Sequence, residues 1–114
     1  MDKYGINGFD YHDNNYVRYD KSYMVTDLIE LSKQYDVFDM PLVGIDIGIK
    51  PWGDMTIKDL VYHVRRIGVA DMSFPIILDD TGFVCDGWHR IAKALMNGDD
   101  TIKAVRLLVM PDPV

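Results

Sequence analysis

Asp86-Gly87-Trp88-His89-Arg90 sets a carboxylate, a glycine, an imidazole and a guanidinium almost side by side. Gly87 has no Cβ, so a ligand can approach the main chain closely there. If a helix begins at this point, its first N–H groups lack intrahelical partners and carry partial positive charge, which stabilises a bound anion. At about 100° per residue, His89, Arg90, Lys93 and Asn97 fall on one face of that helix. Arg90 can grip a phosphate in a bidentate way, and Lys93 can act as a point charge. His89 can donate to a phosphate oxygen or shuttle a proton. Asp86 can hold Mg²⁺ against phosphate oxygens or serve as a general base. The plainer alternative is a solvated basic helix face with Asp86 as its N-cap, and spacing alone leaves it slightly ahead.

Other residues can join such a site. His63 and Arg66 lie three apart, with Asp59 four residues before His63. His63 either enters a cleft facing His89 or belongs to a surface ladder of charges, and the spacing favours the ladder. Trp52 follows Pro51 in a loop and can stack on a nucleotide base or pack on the following helix, the second being preferred. Asp71 either caps a turn or faces the site. His12 is expected in solvent. No Cys/His set has zinc spacing, and no Gly-rich phosphate loop of the Walker type is present.

Positioning these groups requires a strand before them and a helix after them. Phe74 to Leu78 reads as a strand, Asp79-Asp80-Thr81-Gly82 as a hairpin turn, and Phe83-Val84-Cys85 as the return strand. A helix is expected from about Trp88 to Met96, with Trp88, Ile91, Ala92, Leu95 and Met96 toward the core. Asn97-Gly98 stops it, and Thr101 to Met110 forms the last strand. Upstream, Ser22 is the expected N-cap of a helix whose apolar residues include Tyr23, Met24, Val25, Leu28, Leu31 and Tyr35. Met40 to Ile49 reads as a strand, and Lys50 to Asp54 as a loop. Thr56 to Ile67 reads as a second helix. It has a Thr56/Asp59 capping box, a buried stripe of Ile57, Leu60, Val61, Val64 and Ile67, and Gly68 as its stop. Residues 1–21, rich in Tyr, Asn and Asp, are expected to be an irregular arm. Residues 22–114 then form one α+β domain with a small mixed sheet and about three helices.

Composition narrows the partners. The chain has 114 residues, 48% of them hydrophobic and 26% charged, which suits a single globular domain. A formal net charge of −6 disfavours DNA and anionic membranes as partners. The expected partners are a nucleotide or other small phosphorylated ligand, or a protein; the oligomeric state is not readable. Cys85 is the single cysteine and cannot form an internal disulfide. The N-terminus lacks the apolar segment of a signal peptide, and no apolar run is long enough to span a bilayer, so a cytoplasmic location is expected.

The span from Phe74 to Val109 resembles the ParB/sulfiredoxin-like superfamily, whose members are often labelled ParB-like nuclease domains. The resemblance rests on Pro75-Ile76-Ile77, Asp80-Thr81-Gly82, Asp86-Gly87-Trp88-His89-Arg90, the helix with Ala92 to Leu95, Gly98, and Val105-Arg106. With the preceding strand and helix it covers roughly residues 40–110. It implies that Gly87, His89 and Arg90 contact nucleotide phosphate. Trp88 stands where sulfiredoxins carry their cysteine, and His89-Arg90 where partition proteins carry two arginines. The pattern is closest to the superfamily's small nucleotide-dependent kinases, including free-serine kinases. That implies phosphoryl-transfer roles for Asp86, His89 and Arg90, with nucleotide and Mg²⁺ as cofactors. A protein-binding adaptor or inhibitor and a metal-dependent nuclease are the alternative expectations on the same fold.

Overall fold

A computed structural model describes residues 15–114; Tyr11, His12 and the rest of the expected arm before Asn15 lie outside them. The elements are β1 (Asn15–Arg18), β2 (Lys21–Met24), α1 (Val25–Ser32), β3 (Phe38–Pro41), α2 (Ile57–Val69), β4 (Ile76–Leu78), β5 (Val84–Asp86), α3 (Trp88–Asn97) and β6 (Thr101–Arg106). This is a small mixed α+β domain. β3, β6, β4 and β5 form one sheet in that order, with β4 and β6 parallel and the other neighbours antiparallel. β1 and β2 form a separate antiparallel hairpin. No helix among the described residues is long and apolar enough to cross a membrane.

Strand alternation divides the core between the two faces of the sheet. Ile76, Leu78, Ile102 and Ala104 pack with Ile91 and Ala94 of α3, and with Leu42 and Ile45. Ile77 and Leu107 pack with Tyr23, Leu28 and Cys85 on the other side, beneath the hairpin and α1. Half-buried Trp88 lies against the first cluster, as its place on α3 predicts. Leu95 and Met96, expected toward the core, are exposed.

Several boundaries differ from the sequence reading. Asn15 to Arg18 is not irregular, and Ser22 is not a helix cap. Both belong to the hairpin, where Val17 pairs with Ser22 and Tyr16 with Tyr23. α1 starts at Val25 behind Met24, which offers no side-chain cap. Of the expected strand from Met40 to Ile49 only Met40 and Pro41 belong to β3, an edge strand on which Pro41 costs no ladder bond, and the Leu42 N–H donates to the Asp100 carbonyl at 3.0 Å just beyond it. A short 3₁₀ turn, Leu42–Gly44, follows it. β6 ends at Arg106, opposite the last residue of β4.

α2 begins as expected. The Thr56 side chain accepts from the Asp59 N–H at 3.2 Å, and the Asp59 carboxylate accepts from the Thr56 N–H at 3.1 Å. Those bonds hold the Asp59 carboxyl below its ordinary pKa. The helix continues past Gly68 to Val69. Its stripe is not buried: Ile57, Leu60, Val61 and Val64 are exposed, and Ile67 is half-buried.

Candidate functional site

β5 ends on Asp86, and Gly87 turns the chain into α3 with a φ of 113°. That left-handed conformation suits glycine. A Cβ there would stand 2.5 Å from Ile76 Cγ2, so the missing side chain makes room for β4 behind the turn. The glycine therefore serves the packing of the fold, and it also lines the cleft in front of the turn. Having no side chain, Gly87 also leaves the first turn of α3 without a side-chain cap. The Ile91 N–H closes the first helical turn on the Gly87 carbonyl at 3.0 Å.

In front of this turn lies a cleft of about 370 Å³. Gly87, Trp88, His89 and Arg90 form its α3 side. Trp52, Arg66 and Asp71 line it from neighbouring segments, and Asn15 and Val25 line it from the hairpin side. Two guanidinium groups thus share the wall with two carboxylates, Asp71 and Asp86. Arg90 Nη2 donates to Asp86 Oδ2 at 2.6 Å, and Arg66 Nη1 donates to the Tyr62 hydroxyl at 2.7 Å. A guanidinium has five N–H donors, so the bond to Asp86 leaves Arg90 able to reach a ligand as well. Asp71 accepts from the Ser73 hydroxyl at 2.6 Å and from its N–H at 3.0 Å. Those two bonds, with Arg90 and Lys93 nearby, hold the Asp71 carboxyl below its usual pKa. Asp71 therefore both caps a turn and lines the cleft.

Above one side of the cleft are two imidazoles and an indole. His63 Nδ1 and His89 Nε2 are 2.8 Å apart and share a hydrogen bond, so half-buried His63 reaches His89, and it also lies close enough to Asp59 to help lower that carboxyl's pKa. Trp52 stacks over both rings, with centroid distances of 4.1 Å to His63 and 4.5 Å to His89. Trp52 accordingly packs on α2 and lines the cleft at once.

Lys93 is not at the cleft mouth. Its ammonium donates to the carbonyls of Gly68 and Ala70 at 3.1 and 2.9 Å, closing the C-terminal end of α2. A cation there also favours the negative end of the helix dipole. Lys93 thus holds α2 beside α3, and the guanidinium groups that line the cleft are those of Arg66 and Arg90.

The metal expectation meets a competing bond. Arg90 occupies Asp86 Oδ2 at 2.6 Å, which leaves Oδ1 as the oxygen that could face a magnesium ion. Among the described residues no three His, Cys, Asp or Glu side chains gather as a metal cage. Asp86 would therefore hold magnesium only together with oxygens of a bound phosphate.

The sequence reading missed one buried acid. Asp79 opens the β4–β5 turn and is fully buried. Its Oδ1 accepts from the Thr81 N–H and hydroxyl and from the Phe83 N–H, at 2.9, 2.7 and 3.0 Å. Its Oδ2 accepts from the Tyr16 hydroxyl at 2.9 Å and from Arg18 at 3.3 Å. Burial alone would raise its pKa, but these bonds outweigh burial and hold it below the usual carboxylate range. Arg18 also pairs with Asp80. Asp79 thereby ties the β1–β2 hairpin, whose first residue lines the cleft, to the main sheet. The signal in the sequence was an Asp followed by Thr at the second position, a turn that caps its own backbone.

No protein-family model, curated protein or solved structure matches the chain.

Proposed function

We propose that the cleft at the start of α3 binds a small phosphorylated ligand, a nucleotide by preference. One observation carries this reading: a cleft of about 370 Å³ opens on a glycine-capped helix start between Arg66 and Arg90. That volume lies at the small end of the range for small-molecule sites, about 300–1,000 Å³. Phosphate would take the amides of the first turn and the two guanidinium groups. Trp52 supplies an aromatic surface in the same wall for a base. The likeness of the pentapeptide to phosphate-binding turns supports the same ligand class.

Hydrolysis or phosphoryl transfer is the activity that this ligand would permit, because such chemistry depends mostly on positioning and charge neutralisation. His89, coupled to His63, is the group placed to move a proton, and Asp86 is the candidate base. Magnesium belongs to this reading as the nucleotide's own counter-ion. A metal-dependent nuclease fits less well, since a DNA strand would meet a chain of net charge −6 and a cleft of small-molecule size. A protein-binding module is the second reading, favoured by the exposed apolar stripe of α2.

A thermal-shift series over the common nucleoside mono-, di- and triphosphates, with and without Mg²⁺, tests the first reading. A ligand at a hundred times its dissociation constant stabilises the fold by about 2.7 kcal/mol. That shift is expected for at least one nucleotide and should disappear in Arg66→Gln and Arg90→Gln. No shift with any nucleotide would refute it.

A further inference from the structure

Two carboxylates line the cleft, and they are held differently. Asp86 is paired directly with Arg90 at 2.6 Å. Asp71 takes both Ser73 donors on Oδ1, at 3.0 and 2.6 Å, and among the described residues no donor reaches its Oδ2. A carboxylate oxygen has two lone pairs, so Oδ2 can accept from a ligand. The Ser73 bonds, with Arg90 and Lys93 nearby, lower the Asp71 pKa, so the group is ionised at neutral pH. The segment that carries it is fixed on both sides. The Ala70 carbonyl accepts from Lys93 of α3 at 2.9 Å, and Met72 packs against the core cluster that holds Ile76 and Ile91. The acceptor is thus set in the cleft wall before a ligand arrives, which lowers the cost of ordering it on binding.

We propose that Asp71 reads the sugar of the ligand, its Oδ2 accepting from the 2′- and 3′-hydroxyls of a ribonucleotide whose phosphates lie at the start of α3. This rests on the phosphate reading of the cleft. Hydroxyls suit this carboxylate better than an ammonium group. Its charge is already offset by Arg90 and Lys93, and a cationic ligand group would have to approach the same two cations. What Asp71 lacks is donors, and vicinal hydroxyls bring two of them without charge. An acidic side chain on ribose hydroxyls is the solution used by dinucleotide-binding folds as well. The same carboxylate repels bare phosphate, so it favours ligands that bring hydroxyls over inorganic phosphate or pyrophosphate.

Isothermal titration calorimetry on the full chain with Mg²⁺ tests this. The probes are ADP, GDP, CDP and UDP, their 2′,3′-dideoxy counterparts, ribose 5-phosphate and inorganic pyrophosphate. The parent should bind at least one ribonucleotide about tenfold more tightly than its dideoxy form, the scale of one hydrogen bond to a charged group. Asp71→Ala should erase that preference by weakening the ribonucleotide alone. Dideoxynucleotide and pyrophosphate should bind it as well as the parent or more tightly, because a repelling charge has gone, whereas a merely structural role for Asp71 would weaken every probe together. Asp71→Asn keeps an amide oxygen for Ser73, so the turn should hold, and the preference should fall to about threefold or less, a neutral bond being roughly half as strong as a charged one. Equal binding of ribo and dideoxy forms by the parent, or equal losses for both in Asp71→Ala, overturns the proposal and leaves the phosphate reading standing. Ribose 5-phosphate bound as tightly as the best ribonucleotide overturns the nucleotide as the ligand, as does binding of pyrophosphate alone. If no probe binds, the phosphate reading falls and the proposal falls with it.

Discussion

Replacing Asp79 by Asn should release the β1–β2 hairpin while leaving the β4–β5 turn intact. The two carboxylate oxygens have separate partners. Oδ1 serves Thr81 and Phe83 within the turn, and Oδ2 serves Tyr16 and Arg18 of the hairpin. Asn keeps an oxygen for the turn and presents an NH₂ to the hairpin. The Tyr16 hydroxyl can rotate to accept from that NH₂, but a guanidinium has only donors to offer. Losing a bond between a buried carboxylate and a cation costs about 2 kcal/mol, within the range of about 1.5–3 for charged groups. Asp79→Ala also strands the buried N–H groups of the turn, adding about 2 kcal/mol more. A domain of this size is stabilised by roughly 6–17 kcal/mol, so both variants should remain folded in water.

Urea unfolding at a series of pH values checks this. The Asp79 pKa is lower in the folded state than in the unfolded chain, so the unfolded chain binds the extra proton as pH falls. Its contribution is complete above the unfolded value of about 3.9 and is lost as pH drops below that toward the folded value. Asp79→Asn should remove this part of the acid sensitivity, and amide exchange should speed up in β1 and β2 before the main sheet. If Asp79→Asn matches the parent within about 0.5 kcal/mol, the normal spread of neutral surface changes, or if Asn and Ala are equivalent, the clamp argument is wrong.

Gly87→Ala should lose about 3 kcal/mol or more in the same unfolding assay, because it combines a left-handed backbone with overlap on buried Ile76. Thr56→Ala should cost about 1 kcal/mol by removing one half of the capping box, with helix loss visible first at the start of α2 in amide exchange. Cys85 is buried, its thiol donates to the Ile77 carbonyl at 3.3 Å, and burial pushes its pKa up. It should resist iodoacetamide in the native state and react at once in urea; rapid native alkylation would contradict its placement.

Local signals in the sequence were read well where the answer is local. The capping box at Thr56, the turn from Asp79 to Gly82 and the glycine stop at Gly98 are all formed by neighbours within five residues. Gly98 sits at φ 74° and ends α3 as a left-handed cap. Errors arose where distant segments decide. Tyr23, Met24 and Val25 read as the start of a helix, but pairing with Asn15 to Arg18 draws the first two into a strand. The α2 stripe has strong helical periodicity, which shows that a helix forms but not which side it turns to its neighbours. Lys93 looked like part of a phosphate site because its actual partners, the carbonyls of Gly68 and Ala70, lie over twenty residues away. His63, Trp52 and His89 were individually noticeable, but their assembly into one stack depends on how α2 packs against α3.

β4 has only three residues, yet consecutive side chains serve opposite cores: Ile76 and Leu78 on one side, Ile77 on the other. Sliding this strand by one position would swap all three at once and empty both cores together. The two halves of the molecule are thereby made to melt as one cooperative unit, so calorimetry should record a single transition whose van't Hoff and calorimetric enthalpies agree.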